Sequence, residues 1–179
     1  NFNEQHASEI ADGVVEPLQA SSAAFIEKAS GIKNRRVINK SGILDPERMK
    51  PYIAERGDDE PSIQCDMSVA AANEALTQAG KTVADIDAVI VACSNMPRAY
   101  PALSVEVQSR MDIDGFAYDM NVACSSATFG LQAAVNAVEN GTARAVLVIS
   151  PEICTAHLNF RDRDSHFIFG DACTAIVVE

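Results

Sequence analysis

A chain of 179 residues with 47% apolar content is long enough for about one domain with a substantial core. Its formal net charge of -11 lacks the basic footprint that non-specific nucleic-acid binding needs, and no apolar run reaches the ~18 residues of a membrane-spanning helix. The five cysteines include no Cys-x-x-Cys or Cys/His pair at zinc spacing, so we expect no metal and a reduced, cytoplasmic protein with packed or catalytic thiols.

In chain order, Asn3 to Lys28 reads as helical, in two pieces broken near Gly13 and Pro17. Gly42 to Asp59 carries Pro, Gly and charge with little periodicity and reads as a surface insertion, not a domain linker. Pro61 to Gly80 is a stronger helix: Pro61 suits its first turn, Val69, Ala72, Leu76 and Ala79 form a face, and Gly80 stops it. Asp87 to Cys93 is a continuous apolar run, as in a strand covered on both faces. A helix follows from about Ala102 to Met111, then a strand from Gly115 to Met120 with Phe116, Tyr118 and Met120 on one face. Leu131, Val135 and Val138 mark the next helix, which Gly141 ends. Ala143 to Ile149 and Thr174 to Val178 complete the strands. Strands separated by helices predict parallel βαβ units in a layered α/β sheet. The chain opens on a polar helical pattern and closes on an apolar strand, so we expect it to be part of a longer protein.

Cys124 lies where the Gly115 strand turns into the following helix. A thiol there sits near the first free N–H groups of a helix, whose partial positive charge favours thiolate and can lower a cysteine pKa from ~8.5 into the range ~3.5–7.5. The thiolate is the nucleophile, and the same N–H groups can hold an oxyanion. The other role open to such a residue is packing, as a small buried side chain at a strand end.

Four stretches, in this order, resemble β-ketoacyl-acyl-carrier-protein synthase III, a condensing family of the thiolase-like fold. Ala29-Ser30-Gly31-Ile32-Lys33-Asn34-Arg35-Arg36 resembles its Thr-Gly-Ile-x-x-Arg motif. Ala99-Tyr100-Pro101 with Val107-Gln108-Ser109 resembles its interface loop and helix. Asn121-Val122-Ala123-Cys124-Ser125-Ser126 resembles its nucleophile turn, and Asp162-Arg163 with Ile168-Phe169-Gly170-Asp171 its Asp-Arg and Phe-Gly-Asp stretch. The resemblance covers the chain from about Phe25 onward. It implies that residues 1–179 form an N-terminal thiolase-like half: a layered αβα arrangement around a mostly parallel mixed sheet.

It also implies a reaction. Cys124 would take an acyl group from acyl-CoA and pass it to the carbanion left when malonyl-acyl-carrier protein loses carbon dioxide. CoA enters as a substrate thioester, and no cofactor is implied. The His and Asn that polarise the malonyl thioester in the family lie in the C-terminal half, and neither His157 nor His166 occupies their positions. His166 is expected in a loop or at a strand edge, and His6 is expected to be exposed. Phe25 and Arg163 align with an aromatic and an arginine on either side of the CoA adenine. Tyr100 aligns with a ring that crosses a homodimer interface and floors the partner's acyl pocket, and Phe169 belongs to the substrate-binding set. An arginine that some members place beside the first motif is Ala29 here, which argues against simple acetyl-CoA use, as does the 42–59 insertion. Lys28, Lys33, Arg35, Arg36 and Lys40 form a basic island suited to CoA phosphates or an acidic carrier. The expected partners are therefore acyl-CoA, malonyl-acyl-carrier protein, a second copy of the chain and the C-terminal half, with no nucleic acid or membrane. Two other readings share the cysteine turn: a thiolase or hydroxymethylglutaryl-CoA-synthase relative, and a non-catalytic acyl- or carrier-binding half.

Overall fold

The computed structural model describes residues 2–57 and 59–179. They form two compact units, Asn1–Ala54 with Ile153–Asp171, and Glu55–Glu152 with Ala172–Glu179.

The second unit holds a sheet covered on both faces. Strands β1 (Ala88–Ala92), β2 (Phe116–Met120), β3 (Val146–Ile153) and β4 (Asp171–Val178) lie in the order β2-β1-β3-β4. The pairings of β1 with β2 and with β3 are parallel. Every β1 residue is buried, as its unbroken apolar run predicts. Alternation divides the sheet's side chains into two cores. Val89, Val91, Leu147 and Ile149 pack under Leu76 and Ala72 of α4 (Ile63–Ala79) and Leu103 and Val107 of α5 (Leu103–Met111). Ala88, Ile90, Ala92, Val146 and Val148 face Ala134 of α6 (Ser126–Glu139).

Local chemistry sets the helix ends. The Ser62 hydroxyl accepts from the Cys65 N–H and caps α4, while Gly80 at φ 65° closes it. Pro61 therefore precedes the cap and is not in the first turn. Of the expected α4 face, Ala79 is exposed, and fully buried Cys65 and Ser68 extend the contact instead. On α6 the expected Leu131 is 39% exposed, and the contact is made by Gly130, Ala134 and their small neighbours. The reason is close approach: a Cβ on Gly130 would stand 2.8 Å from the Ala92 Cβ. β3 begins three residues later than expected and runs on to Ile153, and β4 begins at Asp171 rather than Thr174.

The first unit holds α1 (Phe2–Gln5), α2 (Ala7–Ala11) and α3 (Ala23–Ser30). Gly13 at φ 72° follows the break after α2, and residues 12–22 are not helical. Within the expected insertion, residue 58 lies outside the described residues, and residues 42–57 form turns and irregular chain with no helix or strand. Met49 is buried, and with Leu44, Ile26, Arg163 and His166 it lines a cavity of about 560 Å³. His6 is not exposed as expected; its side chain retains 12% exposure, held by Glu9 and the Leu44 carbonyl. Asp171 organises this unit. Its buried carboxylate accepts from the Ile38 N–H, the Thr155 N–H and the Thr155 hydroxyl.

Candidate active site

Between β2 and α6 the chain turns through residues 121–125, and Cys124 is exposed at the turn. That removes the packing role. Ala123 has φ 48°, a left-handed conformation that costs a non-glycine residue about 1–2 kcal/mol. Surrounding hydrogen bonds hold it there. The Asn121 carboxamide oxygen accepts from the Ala123 N–H at 3.1 Å, and its amide donates to the Ser94 carbonyl at 3.0 Å. Below the turn, the buried Ser126 hydroxyl accepts from the Val122 N–H at 2.8 Å and donates to the Ala123 carbonyl at 2.7 Å. The Ser125 and Ser126 N–H groups close back onto the Val122 and Ala123 carbonyls.

Two features at this turn suit acyl transfer. No side chain caps the start of α6. The Cys124 N–H has no hydrogen-bond partner among the described residues. An open N–H beside a thiol is the donor that a tetrahedral oxyanion needs. Three of the other four thiols are unsuited to attack. Burial, reinforced by the Glu152 charge, pushes the Cys93 thiol up to about 12, and burial pushes Cys65 and Cys173 up to about 11.

The remaining expected residues fall in both units. Tyr100 is 89% exposed in the second unit. Phe25 and Arg163, 138 positions apart, meet in the first: the guanidinium carbon lies 4.0 Å from the ring centroid, and its Nε donates to the Ala20 carbonyl. The two residues expected on either side of the adenine thus stack on each other in this structure. Phe169 is about half exposed in the loop before β4. The basic island is partly committed: Lys33 lies 3.3 Å from Glu27, and Arg35 donates to the Phe167 and Ile168 carbonyls. His166 sits in a turn, its Nδ1 against the Asp162 and Arg163 carbonyls.

Sequence reasoning gave no role to Asn121, Ser126 or Asp119. The two carboxylate oxygens of Asp119 accept from the Leu103 and Ser104 N–H groups and so cap α5 from the neighbouring strand. Only the polar residues flanking Cys124 signalled this, because the partners that Asp119 finds on α5 and Asn121 finds at Ser94 are remote in sequence.

A family model described as 3-oxoacyl-[acyl-carrier-protein (ACP)] synthase III matches residues 118–179. The chain is 68% identical to the beta-ketodecanoyl-[acyl-carrier-protein] synthase of Pseudomonas aeruginosa, over 99% of this chain and 51% of that protein. It is 33% identical to the beta-ketoacyl-[acyl-carrier-protein] synthase III of Agrobacterium fabrum, over 93% of this chain and 49% of the relative. The solved 3-oxoacyl-[acyl-carrier-protein] synthase III of Aquifex aeolicus superposes with a TM-score of 0.72 at 26% identity, over 88% of this chain and 44% of that one. A priming beta-ketosynthase of the R1128 polyketide pathway gives 0.70 at 31% identity, over 88% and 41%. The chain thus spans about half the length of the curated relatives it matches. In sequence and in fold it matches the N-terminal half of a β-ketoacyl-[acyl-carrier-protein] synthase III, a thiolase-like condensing enzyme.

Proposed function

We propose that the full-length protein condenses an acyl-CoA starter with malonyl-acyl-carrier protein at the start of fatty-acid synthesis, through an acyl group carried on Cys124. The observation that carries this reading is the exposed thiol beside an open backbone N–H at a strained strand-to-helix turn. The Cys124 thiolate attacks the thioester carbonyl carbon, and negative charge moves to the carbonyl oxygen, held by the Cys124 N–H. The C–S bond to CoA breaks, CoA leaves as a thiolate, and the acyl group remains on Sγ. Malonyl-carrier protein then loses carbon dioxide; its carbanion attacks the acyl carbon, and the electron pair of the breaking C–Sγ bond restores the Cys124 thiolate. A His and an Asn from the C-terminal half polarise the malonyl thioester, so residues 1–179 alone do not turn over.

A relative named for a β-ketodecanoyl product supports a medium-chain starter. A ten-carbon product lengthened by two carbons requires an eight-carbon acyl-CoA. Phe25 and Arg163 hold the adenine once their stack opens, with Phe169 in the same unit. A homodimer belongs to this reading, supported by the outward Tyr100 ring and by β2, an edge strand with half-exposed Phe116 and Tyr118. So does a reducing, cytoplasmic setting, supported by the five free thiols; among the described residues no helix is long and apolar enough to cross a membrane.

The test is to incubate the full-length protein with octanoyl-CoA alone and map the adduct by peptide mass spectrometry. The octanoyl group is expected on Cys124 and absent from the Cys124→Ser protein. An adduct on Cys93, Cys154 or Cys173, with Cys124 unmodified, overturns the assignment.

A further inference from the structure

Glu152 lies near the end of β3, a strand otherwise almost wholly apolar and buried. A half-buried carboxylate there is unfavourable unless well hydrogen-bonded, and it is. One oxygen accepts from both the N–H and the hydroxyl of Ser94, at 2.5 and 2.7 Å. The other lies 3.5 Å from the Asn95 amide. Gln64, buried on α4, adds a brace by donating to the Asn95 and Pro151 carbonyls at 2.6 and 3.2 Å. Ser94 and Asn95 are thus held rigidly beyond the end of β1.

This loop supports the nucleophile turn. The Ser94 carbonyl accepts from the Asn121 amide, and the Asn121 oxygen accepts from the N–H of Ala123, the strained residue directly before Cys124. The left-handed backbone at Ala123 sets the direction of the next peptide N–H, that of Cys124. A strained conformation persists only where its surroundings over-determine it, and the links Glu152–Ser94–Asn121–Ala123 are one such restraint. The charge-assisted pair at Glu152 is the strong end of the chain.

We propose that Glu152 is a positioning residue for acyl transfer: through Ser94 and Asn121 it fixes the nucleophile turn so that the Cys124 N–H points at the developing oxyanion. The inference rests on Cys124 being the acylated nucleophile. It separates two reactions of one thiol. Acylation passes through an oxyanion and needs the N–H, whereas alkylation by iodoacetamide displaces iodide at a saturated carbon and needs none.

In the full-length protein, Glu152→Ala is expected to slow single-turnover acylation by octanoyl-CoA on the order of tenfold or more, short of the loss on removing a donor outright. KM for the acyl-CoA and the iodoacetamide rate at Cys124 should stay within about threefold, a preset margin for groups that do not meet at the oxyanion. Glu152→Gln should restore most of the rate, because its amide oxygen accepts both Ser94 donors. Asn121→Ala should reproduce the defect, and the double variant should be no slower than the worse single one, as for residues in one chain of contacts. Wild-type acylation in Glu152→Ala overturns the proposal, as does a parallel fall in acylation and alkylation, which marks general damage. Acylation that persists in Cys124→Ser refutes the nucleophile instead and leaves a distinct signature.

Discussion

Tyr100 is the most exposed large apolar side chain among the described residues, at 89%. Leaving a ring in water forfeits burial worth about 1.5–3 kcal/mol for a large apolar side chain, which is recovered if the ring enters a pocket on a second copy. Acting there as a floor, it selects by exclusion, and each methylene that fits gains about 0.8 kcal/mol. Tyr100→Ala should therefore move the kcat/KM optimum toward longer acyl-CoA chains across an acetyl to dodecanoyl series. The iodoacetamide rate at Cys124 should not move. An unchanged length profile would reduce Tyr100 to a turn residue before Pro101. At this scale the sequence was legible where a residue's neighbours in the chain settle its setting. Cys124 is such a case: the strand, the turn and the helix that place it are contiguous. Phe25 against Arg163, or Asp119 against the start of α5, are not, because only the fold brings those partners together.

Elements were predicted well where one face or both are uniformly apolar, as in β1, and less well where the contact is made of small residues. α6 is the instructive case. Of the expected face, Val138 packs against the core but Leu131 is exposed, and the helix makes its closest approach to the sheet through Gly130 and Ala134, because large side chains there would hold it away. Periodicity measures apolarity and is blind to distance. The close approach makes Gly130 sensitive. A Cβ there meets the Ala92 Cβ at 2.8 Å and Val148 Cγ1 at 3.3 Å, both in a packed core. Gly130→Ala should destabilise the protein by about 1–3 kcal/mol, as overpacking generally does. It should also slow acylation, since α6 carries the nucleophile turn at its start. Adding Ala92→Gly removes the opposing methyl and should recover part of both losses in urea unfolding and in acylation rate. Failure of that rescue would place the strain elsewhere on α6.

The two-unit division was not legible in the sequence, because one unit is closed by residues 153–171, which lie beyond the whole 55–152 stretch of the other unit. The layered α/β character of the other was legible, because strand and helix signals alternate along the chain. Its larger core holds Cys65 and Cys93, with Cys173 packed against it, and that gives the whole molecule a predictable response to alkali. Burial pushes these thiols from an ordinary value of 9.0 up to about 11, 12 and 11. A raised folded-state pKa means that the unfolded chain ionises first. Below about pH 9 both states hold the protons and the thiols leave stability unchanged with pH. From about pH 9 toward 12 the unfolded state loses protons that the folded state keeps, and each thiol lowers stability by up to about 1.4 kcal/mol per pH unit. Tyrosines and lysines titrate over part of the same range, so the informative quantity is a difference. Urea unfolding of the full-length protein at pH 8 and pH 10.5 should show a steep loss of stability. The same pair of measurements on Cys93→Ala should start from a less stable protein, because a cavity has been made, but fall less steeply with pH. Equal slopes for the two proteins would show that the Cys93 thiol ionises as freely in the folded state as in the unfolded chain.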